Sequence, residues 1–471
     1  MNILENIYRN SPFWIKNIIM SIYGIKEYIK NHGKYYDLHY KELKGILNFD
    51  ESALKDLQEK KLKKLLTENL IYSPYYRKNF LALGITENSI ENENVLELLQ
   101  TLPFLTKEIL REQITEIVSV NPIRKKYCTT KTSGTTGTPM TIEFDSESRQ
   151  STFAEWRRYY DWLGLPNKFR SVRFSGRIIV SPETSEPPFW AYNMINNQLF
   201  MSTYHLLEVN IKSYLKKLND FKPVFMDGYP SSFYIMAQYI QANNIKLNFK
   251  LMAISTTAET LLEHHRKTIE DAFKCKVYNQ YASSEGAPWI VECKVGHYHL
   301  WTDTGVFEFF NQKDNNDGTI ISEMVVTSFR NLKTPLIRYK IGDFVRSYKE
   351  EKKCSCGSNY PIIHSVIGRE DDMLYTQERG YIGRLDPVYK GLSGIIQSMI
   401  IQTDINYVKV LIIPDKDYED STGDKLLKNL HDRLGSNIQI KLIKTDHIPL
   451  GKNGKFKSVV RQFNILLEEN N

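Results

Sequence analysis

Phe13, Trp14, Ile18, Ile19, Ile22 and Tyr23 recur at the spacing of one helix face. The pattern predicts a helix packed on the protein body. With Lys16, Lys26 and Lys30 close by, a helix lying on a membrane surface is the weaker reading. The chain stays mostly helical to about residue 120, with charged stretches such as DESALKDLQEKKLKKLLTENLI. TLPFLTKEILREQ predicts a helix entered through Thr106, with Glu108 early in it. From residue 140 strands and helices alternate. MTIEF alternates apolar and polar residues as a strand does, and SESRQSTFAEWRRYYDWLGL predicts a helix stopping near Gly164. FMDGYPSSFYIMAQYIQANNI is a strand end, a turn and a helix; LMAISTTAETLLEHHRKTIEDAF repeats that plan before strand-like KVYNQYA. Such alternation predicts α/β layers. After about residue 370, SMIIQTDINYVKVLIIP, DKLLKNLHDRLG and IQIKLIKTD predict strands, a helix and a strand, a compact α+β module of roughly 100 residues. The expected fold is α/β: a large N-terminal layered domain over residues 1–370 and a small C-terminal α+β domain over residues 371–471.

Composition narrows the setting. A chain of 471 residues, 41% hydrophobic and 25% charged, is ordinary for a globular protein and can bury a large core. A formal net charge of +7 permits an anionic partner such as a nucleotide and demands no nucleic acid. Five cysteines, at 128, 275, 293, 354 and 356, are too few and too odd for a secreted disulfide framework. A reducing, cytoplasmic location is expected, with no signal peptide and no apolar run of the ~20 residues that a spanning helix needs.

Five segments carry candidate chemistry. TSGTTGTP supplies glycines and short hydroxyls, which suit a loop holding phosphates through consecutive backbone N–H groups. It is not a Walker loop, whose second glycine precedes Lys and Ser or Thr; its bland rival is a flexible linker. In YNQYASSEGAP, Glu285 follows a strand end, where ligands of α/β sheets collect, and can hold Mg²⁺; the rival is a turn with a solvent-facing Glu. In PLIRYKIGDFVRS, Asp343 can accept from both ribose hydroxyls; the rival is a hairpin turn. IGREDDML reads as an interdomain hinge with Arg369 on nucleotide oxygens, or as a charged linker. IPLGKNGKFKSVVR carries Lys455 in a glycine-flanked loop, suited to charge developing on an attacked α-phosphate. GKNG also fits the GXXG of KH RNA-binding modules, but the surroundings lack the rest of that module.

Together and in this order, the segments resemble the adenylate-forming superfamily, specifically its phenylacetate–CoA ligase-like branch found in capsule and O-antigen biosynthesis. SPYYRKNF, LPFLTKEILRE and GYPSSFYIMA extend the resemblance over nearly the whole chain. It implies ATP-dependent activation of a carboxylate to an acyl-AMP with release of pyrophosphate. The acyl group then passes to CoA or to another thiol, amine or sugar. The implied nucleotide contacts are Thr132, Ser133, Gly134, Thr135, Thr136, Gly137, Tyr281, Ser283, Ser284, Asp343 and Arg369. Glu285 would hold Mg²⁺, Lys455 would be catalytic, and Asp371 would be the hinge of a mobile small domain. Two departures stand out: Ala282 where the family often has Gly, and YKIGD for the usual YRTGD. The alternatives are an adenylyltransferase placing AMP on an acceptor and a non-catalytic scaffold. A serine hydrolase is excluded because no G-x-S-x-G elbow occurs.

A second constellation is independent of the nucleotide. Cys293, His297 and His299 in CKVGHYH, with Cys354 and Cys356 in CSCG, offer three thiolates and an imidazole for a tetrahedral structural zinc. His299 is preferred because its segment enters strand-like HLWTDTGVFEFF. The rival is a set of reduced, unligated cysteines; related chains of the branch carry similar Cys/His clusters. Cys128 and Cys275 read as strand-core residues. EPPFWAYNMINNQLFMSTYHLL could line an acid or acceptor pocket, although aromatics at that density more often build core.

Overall fold

The computed structural model describes residues 11–131, 141–181, 184–314, 317–369, 374–378, 380–382, 385–389, 392, 394–449 and 456–462. The N-terminal part is helical, as the periodicity predicts. Helix Glu51–Tyr72 is entered through Asp50, whose carboxylate accepts from Ala53 N at 2.8 Å. Helix Lys107–Glu112 is entered through Thr106, whose hydroxyl accepts from Ile109 N at 3.3 Å.

A nine-stranded sheet forms the centre of the large domain. From one edge its strands are Ile362–Ile363, Tyr298–Leu300, Ile290–Glu292, Val277–Tyr281, Ala253–Thr256, Phe225–Gly228, Ser171–Ser175, Gln198–Ser202 and Trp190–Asn193. Val277–Tyr281 through Gln198–Ser202 run parallel, and helices Pro230–Ala242 and Glu263–Phe273 make the crossovers between neighbours. Strand Phe225–Gly228 shows how tightly this is packed. Gly228 has φ +157, and a Cβ there would lie 2.5 Å from Phe174 O, so only glycine fits.

Strands Gly305–Asp314, Thr319–Ser328, Tyr339–Tyr348 and Ser365–Arg369 make an antiparallel second sheet. The small domain has its own core. Leu426, Leu430 and Leu434 of helix Asp420–Leu434 bury against Ile400, Val408, Val410 and Ile412 of a four-stranded sheet. The expected domain boundary falls within residues 370–373, outside the described residues.

Two expectations need correction, on the N-terminal helix and on the two lone cysteines. Helix Phe13–Asn31 does sit on the body, but not through its isoleucine stripe. Strand Trp190–Asn193 is a sheet edge with free backbone donors, and the helix meets them with acceptors: Asn17 Oδ1 from Tyr192 N (2.8 Å) and Ser21 Oγ from Met194 N (3.1 Å). Cys128 starts a strand yet is only half-buried, and Cys275 is buried in the turn before Val277–Tyr281. The aromatic-rich segment supplies core: Phe189, Trp190, Leu199 and Met201 are buried.

Candidate active site

The parallel strands end on one side of the sheet, and their following loops collect there. Strand Val277–Tyr281 delivers Tyr281, and the chain then turns through Ser283 and Ser284 to the buried Glu285. Ser283 Oγ accepts from Ala287 N at 3.0 Å, which fixes the turn. Ser284 O accepts from Thr130 Oγ1 at 3.1 Å, which ties the turn to hairpin strand Cys128–Lys131. That strand pairs with Thr141–Phe144, from Cys128↔Phe144 to Lys131↔Thr141. Their connection carries Thr132, Ser133, Gly134, Thr135, Thr136 and Gly137, which lie outside the described residues, as do Asp371 and Lys455.

Asp343 comes from the second sheet. Pairing shifts register on both sides of it, and Gly342 takes φ +79, so the strand bulges there. The bulge aims the carboxylate at the turn. Tyr281 OH donates to Asp343 Oδ2 at 2.5 Å, and Arg369 Nε lies 3.0 Å from Asp343 Oδ1. Arg369 is also the cross-strand partner of Asp343. Burial raises the Asp343 carboxyl above its ordinary range, against the pull of Arg369 and the Tyr281 hydrogen bond. Thus Tyr281, Asp343 and Arg369 meet beside Glu285, whose carboxylate has no hydrogen-bond partner among the described residues.

Three side chains missing from the sequence reading complete this edge. Leu105 bridges Tyr339 in parallel, with Leu105 N on Arg338 O and Lys340 N on Leu105 O. This docking brings Lys107 to the site, where burial and the charge of Arg369 lower its pKa against the pull of Glu285 and Asp343. Tyr339 is fully buried, and its hydroxyl, within the field of Glu285, Arg369 and Asp343, has no hydrogen-bond partner among the described residues. Glu259 follows strand Ala253–Thr256 after Ala258, which holds a left-handed φ of +67. Its carboxylate accepts from Ser231 N at 3.2 Å and from Phe456 N at 2.7 Å. Phe456 follows Lys455, so Glu259 links the two domains at that loop. The signals were present in LPFLTKEILRE, RYKIGD and STTAET, but nothing local gave them a role.

A cavity of ≈ 480 Å³ lies nearby, lined by Arg266, Glu292, Arg346 and Arg433 among others; Glu285, Asp343 and Tyr281 are not in its wall. The metal candidates do converge. One ligand atom from each of Cys293, His299, Cys354 and Cys356 lies within 4.8 Å of every other. Pairing of His299 with Ile362 carries that histidine to the 354–360 loop. Its Nδ1 lies 3.2 Å from Tyr360 O, leaving Nε2 3.4 Å from Cys356 Sγ. A ligating histidine oriented through its other nitrogen is the usual arrangement. His297 contacts Cys354 Sγ at 3.2 Å but is not one of the four.

The description "CapK C-terminal domain" matches residues 374–462. Protein CapK of Staphylococcus aureus is 32% identical over 459 residues, covering 96% of this chain and 98% of that protein. Phenylacetate-coenzyme A ligase of Thermus thermophilus is 23% identical over 347 residues, covering 68% of this chain and 71% of that protein. Among solved structures, 2-hydroxyisobutyryl-CoA ligase in its postadenylation state superposes with a TM-score of 0.64 at 15% identity, covering 86% of this chain and 88% of that one. The last likeness shows the fold: a large N-terminal and a smaller C-terminal domain of the adenylate-forming kind.

Proposed function

The chain belongs to the CapK family, a capsule-associated branch of the adenylate-forming superfamily, and from that premise we propose that it activates a carboxylic acid as its acyl-AMP. The observation that carries this reading is the meeting of Tyr281, Asp343 and Arg369 beside Glu285, at the carboxyl edge of a parallel sheet.

In the proposed first step a carboxylate oxygen attacks the α-phosphorus of ATP. The bond to the β-phosphate breaks and pyrophosphate leaves. Asp343 accepts hydrogen bonds from the two ribose hydroxyls, with Tyr281 and Arg369 fixing its carboxylate. Thr132, Ser133, Gly134, Thr135, Thr136 and Gly137 cradle the β- and γ-phosphates. The buried carboxylate of Glu285, unpaired among the described residues, suits Mg²⁺, which would neutralise phosphate charge. Lys455 meets the charge developing on the α-phosphate. In the second step a thiol, amine or hydroxyl attacks the acyl carbon, and AMP leaves with the bridging oxygen. Asp371 serves as the hinge between the steps. CoA is the acceptor that the ligase relatives suggest, and surface-polysaccharide synthesis is the setting that the CapK name suggests. The test is pyrophosphate release with Mg-ATP across aryl, hydroxy, amino and uronic acids, with hydroxylamine present. One acid should drive release and yield its hydroxamate; ATP binding with no active acid would favour adenylyl transfer or a scaffold.

Glu259 acts in this reading as a positioning residue for the Lys455 loop. Glu259→Ala removes the acceptor of Phe456 N. It should slow acyl-AMP formation roughly tenfold, the worth of one charge-assisted hydrogen bond. Transfer from acyl-AMP supplied ready-made should change much less. Equal losses in both half-reactions would contradict the role.

Cys293, His299, Cys354 and Cys356 fit a structural zinc ion in donor type, number and spacing. Bound there, zinc would staple the Tyr298–Leu300 hairpin to the 354–360 loop. Elemental analysis should find one zinc per chain, and Cys356→Ser should lower both zinc content and Tm. Folded protein without stoichiometric zinc would rule the site out.

A further inference from the structure

Helix Phe13–Asn31 is turned inside out relative to an ordinary surface helix. Its inner face is mostly small and polar, with Phe13 and Met20 as the large side chains that pack on buried apolar clusters. Besides the Asn17 and Ser21 contacts, Asn31 Oδ1 accepts from Arg149 Nε at 2.8 Å. At Gly24 an added Cβ would lie 2.4 Å from Asn193 Oδ1. The outer face carries Trp14, Ile18, Ile22, Ile25 and Ile29, which share an arc of roughly 80° on the helical wheel. All five are exposed, from 44% at Ile18 to 69% at Ile29. Leaving five large apolar side chains in water along one ridge is unfavourable unless something covers them.

Charge selects the occupant. Lys26 and Lys30 border one side of the ridge, with Lys16 beyond them, and the helix has a single carboxylate, Glu27. Glu27 faces inward and pairs with Arg149 at 3.3 Å. Two copies meeting ridge to ridge would bring lysines together with no outward carboxylate to offset them. A layer of anionic headgroups over hydrocarbon matches both features: isoleucine and Trp14 enter the acyl boundary, and the lysines stay at the phosphates. The helix is 19 residues long and lies flat on the domain. Among the described residues no helix is long and apolar enough to cross a membrane.

We infer that the outward face of helix Phe13–Asn31 seats the protein on an anionic lipid surface. The second sheet and Glu285 take no part in this contact, so the inference stands apart from the adenylation reading.

The full chain, mixed with phosphatidylcholine vesicles containing phosphatidylglycerol, should float with them at low salt. It should float less at high salt and not with phosphatidylcholine alone. Ile22→Asp combined with Ile25→Asp should lower vesicle partition by about tenfold or more. Lys26→Gln should lower it by about fivefold, the worth of one lysine at such a surface. Nucleotide binding by both variants in solution should match the parent, which separates lost docking from lost folding. Failure of the parent chain to float with anionic vesicles at low salt would overturn the inference. So would a dimer in light scattering that the isoleucine variant dissociates, since the ridge would then seat a second copy.

Discussion

Lys455→Ala should slow acyl-AMP formation by about 10²–10³-fold while leaving ATP affinity nearly unchanged. Negative charge builds on the α-phosphate oxygens only as the carboxylate closes on phosphorus, so a lysine aimed there stabilises the transition state more than the bound ground state. The ground state would keep its other proposed holds, at Asp343, Arg369 and the hydroxyl-rich segment. Lys455 also has an anchor beside it. Phe456 is buried, and its N–H is held by Glu259 at 2.7 Å from a loop at the sheet edge. Single-turnover formation of acyl-AMP and equilibrium ATP binding are the two readouts. Unchanged adenylation in the variant would remove Lys455 from the catalytic machinery.

The second large effect is expected at Asp343. Asp343→Ala deletes the proposed acceptor of two ribose hydroxyls and releases both Tyr281 and Arg369. Two charge-assisted hydrogen bonds of about 1.5–3 kcal/mol each put the loss of ATP affinity at roughly 10²-fold or more. The pH dependence follows from the burial that raises this carboxyl. Because its folded pKa lies above the unfolded value, the folded chain binds the proton more tightly between the two. This group therefore favours the fold most below its unfolded pKa, and that contribution is lost as pH rises through the folded pKa. ATP binding runs the other way, since only the ionised carboxylate accepts from both hydroxyls. Acidification through the raised pKa should weaken ATP binding without weakening the fold through this residue. Asp343→Asn should likewise lose affinity and keep its Tm. A Tm collapse in Asp343→Asn with intact ATP affinity would make Asp343 a structural residue.

The order of the five segments was legible because the chemistry of each is local. Glycines, hydroxyls and single carboxylates at strand ends announce themselves in sequence. The alternation after residue 140 was legible for a similar reason, since parallel strands and their crossover helices follow one another along the chain. Sheet order was not. Strand Ser171–Ser175 lies between Phe225–Gly228 and Gln198–Ser202, a choice set by packing over tens of residues. Lys107 was hidden for the same reason: it reaches the site only because Leu105 pairs with Tyr339, far along the chain. Glu259 was hidden because its partner Phe456 belongs to the other domain. The cysteine cluster was half legible; composition gave the donors, but the pairing of His299 with Ile362 brings them together. For helix Phe13–Asn31, periodicity gave the apolar face and not its direction, which the donors of an edge strand decide.

The central claim is that a carboxylate oxygen bonds to the α-phosphorus of ATP. The most direct measurement uses the acid found active, labelled with ¹⁸O in its carboxyl group, and follows the label through one complete turnover to the acceptor. Attack on the α-phosphorus leaves the bridging oxygen with AMP, so mass spectrometry should find one ¹⁸O in the released AMP and none in pyrophosphate. Label confined to inorganic phosphate would mean an acyl phosphate formed at the γ-position. Unlabelled AMP, or AMP retained on an acceptor, would mean that no acyl-AMP forms, and either result would contradict the account.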